Sequence, residues 1–146
     1  MIFSKKIVKL IILLFFVVFM QPMNAATNEA SQFNWQPVIE AIIQVESNGN
    51  TKAKSGNSVG PMQITPILVK ECNNILRNRN LSKRFKLSDR YSVSKSKDMF
   101  LLIQSEFNPD NNVEKAIRAW NGGNNFNRKR TQRYYQKVMN ILNAND

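Results

Sequence analysis

Residues 35–47 read WQPVIEAIIQVES, with Trp35, Ile39, Ile42, Ile43 and Glu46 recurring at helical spacing. Apolar side chains three and four residues apart share one face of an α-helix, so this stretch predicts a helix with a buried stripe. Asn34 is a capping candidate at its start, and Gly49 is placed to terminate it. Two carboxylates lie on it. Glu40 falls on the outer face, where a solvated charge is expected, whereas Glu46 lies one turn beyond Ile42 and Ile43 on the core-facing stripe. A carboxyl group among apolar neighbours resists ionisation, and the negative end of the helix dipole pushes the same way. Both effects raise the pKa toward that of a general acid. The plain alternative is a helix-end side chain that turns into solvent.

The same periodicity continues downstream. After a Gly-containing loop from Lys54 to Gly60, Thr65 caps a second predicted helix with Pro66 at its first position. It runs to about Asn78, with Leu68, Cys72, Ile75 and Leu76 inward. The basic stretch Arg77 to Arg90 reads as a surface loop with room for a short helix. Ser94 caps a third helix carrying Met99, Phe100, Ile103 and Phe107, which Asn108-Pro109 breaks. A fourth starts near Asn112, carries Val113, Ala116, Ile117 and Trp120, and stops at Gly122-Gly123. A fifth spans about Thr131 to Leu142, with Tyr134, Val138 and Ile141 on one side. Alternating strand patterns are missing throughout. The expectation is a mainly α fold, a single helical domain over residues 26–146.

Composition narrows the chemistry. The 146 residues are 42% apolar, enough for one modest core, and Gly and Pro number only five each. There is no histidine, and Cys72 is the one cysteine. That excludes the usual zinc sites, the Ser-His and Cys-His pairs, and an intramolecular disulfide. Cys72 itself reads as a small buried hydrophobe. Any catalysis falls to carboxylates, Tyr, Lys or backbone dipoles.

The N-terminus predicts export. Lys5, Lys6 and Lys9 precede an apolar run from Leu10 to Met20, and the small residues Ala25 and Ala26 follow. This pattern over residues 1–25 reads as a secretory signal, cleaved near Ala25. The run is shorter than the roughly 20 residues of a membrane span, although an uncleaved anchor is the alternative. The destination is then the periplasm or cell wall. Net charge is +11; without the three leader lysines, 18 basic residues face 10 acidic ones. A protein this basic is drawn to anionic polymers, which on its own does not choose among wall glycopeptide, lipid surfaces and nucleic acid.

Beyond Glu46-Ser47, three further motifs follow in order: Gly60-Pro61-Met62-Gln63-Ile64, Ala119-Trp120-Asn121-Gly122-Gly123, and Thr131 to Val138 with Tyr134 and Tyr135. Together they resemble the lytic transglycosylases of the soluble-lytic (SLT) type, relatives of goose-type lysozyme, from Trp35 to Leu142. The resemblance implies a lysozyme-like helical domain with a glycan-binding groove. Glu46 then matches the catalytic acid and Ser47 the partner hydrogen-bonded near it. Gly60, Met62 and Gln63 match the loop that lines the groove. Asn121 matches the family's asparagine near the reacting sugar, and Tyr134 the tyrosine that approaches the catalytic carboxyl, with Tyr135 as the register alternative. Three positions depart from the family pattern. Pro61 stands for Leu, Gly122 for Ala, and Trp120 for Tyr, where an indole can still stack on a sugar face. The family's Asn-Ile and Gly before its third helix are not evident around Lys95 to Met99.

The resemblance implies cleavage of the peptidoglycan glycan strand by one carboxyl group, closing a 1,6-anhydro ring on muramic acid, with neither metal nor cofactor. The implied partners are peptidoglycan strands, with an envelope-spanning assembly as a further candidate, no specific nucleic acid, and a monomeric state. Three other readings stay open on sequence. A lysozyme-like hydrolase would bring a second carboxylate, Glu71 or Asp89, within about 5–9.5 Å of the acid. A wall-binding or assembly module would need no acid at all. A secreted nucleic-acid binder is suggested by charge and interspersed aromatics alone.

Overall fold

Five α-helices and one short hairpin make up residues 33–144, the part of the chain that the computed structural model describes. The expected leader, residues 1–25, lies outside the described residues. In chain order the elements are α1 (Gln36–Ser47), β1 (Lys54–Ser55), β2 (Ser58–Val59), α2 (Pro66–Asn78), a 3₁₀ turn (Leu87–Tyr91), α3 (Val93–Phe107), α4 (Val113–Gly122) and α5 (Arg128–Ala144). The mainly α expectation matches this architecture.

The core is built from the predicted apolar faces. Ile39 and Ile42 from α1, Cys72 and Leu76 from α2, Met99 and Phe100 from α3, Ile117 from α4 and Val138 from α5 form one buried cluster. Each large side chain withdrawn from water this way contributes about 1.5–3 kcal/mol. Phe100 sits at the centre, edge-on to Trp35 at 5.6 Å and tilted against Trp120 at 5.3 Å. α5 packs on both α4 and α1, which brings the last helix against the first.

Local signals set most helix ends. Thr65 caps α2 as expected, its hydroxyl accepting from the Leu68 N–H at 3.2 Å, with Pro66 in the first turn. Asn112 caps α4 by accepting from Lys115 N–H at 2.9 Å, and Gly123 closes it. Elsewhere the structure differs. α1 starts at Gln36 with Trp35 at the cap position, and the Asn34 side chain accepts from the Gln36 N–H at 3.0 Å. Its last turn is closed by Asn48 in the left-handed region (φ 51°), with Gly49 following it. Ser92, not Ser94, caps α3, because the preceding 3₁₀ turn delivers Ser92 in extended conformation with its hydroxyl facing Lys95 N–H. α5 begins a turn before Thr131, where the Asn127 side chain accepts from Arg130 N–H at 3.0 Å.

Two more expectations are corrected. β1 and β2 pair antiparallel as Lys54 with Val59 and Ser55 with Ser58, and Val59 bridges to Ile64. Strands of two residues are too short to print an alternating pattern. The basic loop is also less superficial than predicted, since Phe85 and Arg90 are both buried.

Candidate active site

Glu46 occupies the last turn of α1, on the stripe of Ile39 and Ile42, and its side chain is half-buried. From the far end of the chain, α5 brings the Tyr134 hydroxyl to donate to Glu46 Oε1 at 2.7 Å. Burial holds the Glu46 carboxyl above its ordinary pKa, and the smaller effect of the Tyr134 hydrogen bond opposes it. Burial, and then the neighbouring Glu46 charge, push the Tyr134 phenol upward, so it remains a neutral donor. Tyr135, the register alternative, turns elsewhere. The Arg118 guanidinium lies over its ring, 4.2 Å from the centroid.

Glu46 opens into a pocket of about 250 Å³. The hairpin contributes Ser55 and Ser58, the following loop Gln63 and Thr65, α2 Leu68, and the end of α4 Trp120 and Asn121. Gln63 adopts a left-handed backbone (φ 49°), and its amide nitrogen donates to Gly60 O at 3.0 Å. The amide oxygen is left as the acceptor for a guest. Trp120 donates its indole N–H to Met62 O at 3.3 Å, which orients the ring as a wall. Hydroxyls, amides and one indole face suit a sugar, and Glu46 is the one acid lining this pocket.

A second pocket of about 330 Å³ shares Thr65, Leu68 and Trp120 with the first, so the two form neighbouring stretches of one groove. Ile67, Ile103, Phe107 and Ala119 make it apolar, and its one charged lining residue is Glu71. Glu71 does not line the Glu46 pocket. Nor does Asp89, whose carboxylate accepts from the Lys86 N–H at the start of the 3₁₀ turn.

The sequence-predicted site residues therefore divide. Glu46, Gln63, Trp120 and Asn121 share the pocket, and Tyr134 backs the acid from behind. Three others serve the scaffold. Ser47 donates to Pro61 O at 2.9 Å, tying α1 to the loop rather than touching the carboxyl. Met62 is fully buried, so its side chain belongs to the core and its carbonyl alone serves the site. Gly60 has φ 79°, and a Cβ there would fall 1.8 Å from Arg90 O. Its smallness lets the loop press on the 3₁₀ turn, and Gly60 is not among the residues lining the pocket.

Sequence reasoning missed Ser55, Ser58, Thr65 and Leu68 as lining residues, and buried Arg90 and Arg118 as supports. Arg90 donates to Asn57 O at 3.1 Å and Ile64 O at 3.2 Å, pinning both ends of the loop that carries Gln63. Arg118 left one trace in the sequence: it stands four residues after Glu114, at ion-pair spacing.

A family model described as the transglycosylase SLT domain matches residues 23–143. Comparison with curated proteins and with solved structures returned no match. A match across most of the chain, with the helical architecture and ordered motifs, identifies this lysozyme-like helical domain: the chain belongs to the transglycosylase SLT domain family.

Proposed function

We propose that this chain is an exported lytic transglycosylase that cleaves the β-1,4 bond between N-acetylmuramic acid and N-acetylglucosamine in peptidoglycan, with Glu46 as the acid and then the base. The observation that carries this reading is a single half-buried carboxyl group, held by a tyrosine hydroxyl, in a polar pocket without a second acid. The reaction needs one group that is neutral first and charged later. Burial supplies the first condition by raising the Glu46 pKa, and Tyr134 serves the second by steadying the carboxylate.

In the first step Glu46 gives its proton to the glycosidic oxygen, and the C1–O4 bond breaks. The substrate's own N-acetyl oxygen supports the positive charge at C1, replacing the second carboxylate of a conventional glycosidase. In the second step the Glu46 carboxylate takes the proton from the muramic acid O6, which attacks C1 and closes the 1,6-anhydro ring. The acid is regenerated and no water is consumed. Gln63 and Asn121 supply amide hydrogen bonds to the sugar, and Trp120 offers a face for stacking.

Digestion of purified peptidoglycan followed by mass spectrometry tests this. Muropeptides lighter by one water than the reducing species, and lost with Glu46→Gln, are expected. Reducing products would assign the chain to lysozyme-like hydrolysis, and wall binding without cleavage would assign it a binding or assembly role. We further propose that residues 1–25 act as the export signal, which N-terminal sequencing of the exported protein checks.

A further inference from the structure

We propose that Arg118 is a positioning residue for the catalytic pair: its guanidinium fixes the rotation of α5 so that Tyr134, and not its neighbour, meets Glu46. The inference rests on the function proposed above for Glu46. Arg118 is 4% exposed, although it carries a permanent charge. Its Nη1 donates to Arg128 O at 3.0 Å and to Thr131 Oγ1 at 3.2 Å, and its Nη2 to Gln132 Oε1 at 2.7 Å. Its plane covers the Tyr135 ring, and its Nε is paired with Glu114 on its own helix at 2.7 Å.

The four α5 positions it holds are 128, 131, 132 and 135. Such spacing is one continuous stripe over two helical turns. The contacts therefore act together on one degree of freedom, the rotation of α5 about its axis. Tyr134 precedes Tyr135 by one residue, or about 100° around the helix. Seating Tyr135 on the guanidinium thus aims Tyr134 toward α1. With its hydroxyl about 8 Å from the helix axis, a rotation of roughly 20° would sweep it by about 3 Å, far beyond hydrogen-bond tolerance.

The rigid planar fork explains the choice of side chain. A lysine keeps the charge but cannot hold two backbone turns and stack on a ring at once. Nor is Arg118 near the reacting sugar, since it lines neither stretch of the groove. It acts through Tyr134.

The test is a double-mutant cycle in the full-length protein with Arg118→Lys and Tyr134→Phe, read in two ways. In peptidoglycan cleavage, Arg118→Lys should lower kcat about tenfold with KM within about twofold, yet less than twofold further in the Tyr134→Phe background. Equal losses in both backgrounds, or none in either, would overturn the proposal. The second readout needs no activity: ¹³C-NMR titration of the Glu46 carboxyl. Losing the Tyr134 hydrogen bond removes the influence that lowers its pKa, so Arg118→Lys should move the titration upward, as Tyr134→Phe does. An unmoved titration sinks the positioning role. An inactive wild-type protein sinks the functional reading instead, with the NMR result still deciding Arg118. Should Arg118→Lys fail to fold, Gln132→Ala removes one tie at an exposed position. It must shift the same titration upward by less, and no shift overturns the inference.

Discussion

On one side of Trp120 the groove is polar and carries Glu46; on the other it is apolar and carries Glu71. The two stretches share three lining residues and differ in what stands behind their acids. Glu46 is pressed against the core and tethered to Tyr134, whereas Glu71 sits on an α2 face that opens to an apolar hollow. What sets Glu46 apart from a carboxylate merely close to a groove is the wall behind it. Neither stretch is lined by a lysine or arginine, despite the chain's net charge of +11. Among the described residues the exposed basic side chains lie outside both stretches, so on the proposed function they would attract an anionic polymer without crowding Glu46.

Exchanging each acid for its amide gives the sharpest contrast. Glu46→Gln should lower kcat on the order of 10³-fold, since removing a general acid costs about 10²–10⁴-fold. A loss of less than tenfold would erase the distinction between the two stretches. Gly60→Ala comes next. Its Cβ would collide with the Arg90 carbonyl, so the loop walling the polar side must shift. A destabilisation of about 2–4 kcal/mol is expected from denaturant unfolding, in the range of overpacking added to backbone strain.

Tyr134→Phe should cost about tenfold in kcat and also move the pH profile. The acid works only while protonated, so activity falls as pH rises through the Glu46 pKa, which burial already holds high. Losing the hydrogen bond raises that pKa further, and the basic limb should move to higher pH. A limb that moves lower would mean that Tyr134 favours the neutral acid. Smallest is Glu71→Gln, with KM changed about two- to threefold and kcat untouched, measured on soluble glycan fragments. A kcat loss as large as that of Glu46→Gln would revive the two-carboxylate hydrolase.

How much of this was legible follows from how far each signal reaches along the chain. Thr65-Pro66 and Asn112 act on their own helix within three residues, and both starts were read correctly. Ser94 is the cap that the sequence predicts for α3, and the 3₁₀ turn, held by contacts across the loop, places Ser92 there instead. Thr131 imitates a cap, but its hydroxyl accepts from Arg118 and donates back to Asn127 O within the first turn of α5. At the site, helical spacing puts Glu46 on the core-facing stripe, whereas its pairing with Tyr134 comes from the family resemblance, which leaves Tyr135 as the alternative register. Gly60 and Met62 were assigned to the groove by motif, although their environments depend on Arg90 and on the core. Those neighbours lie too far along the chain for any local pattern to announce.

The bond between Tyr134 and Glu46 also has a consequence in time. It joins residues 88 positions apart, linking the first described helix to the last. During synthesis, which proceeds from the N-terminus, the acid emerges early and its tyrosine late. Until α5 docks, Glu46 has neither its hydrogen-bond donor nor the packing that α5 gives α1. A nascent or truncated chain therefore carries the carboxyl without its partner, and the cleavage proposed above would arrive only with completion of the fold.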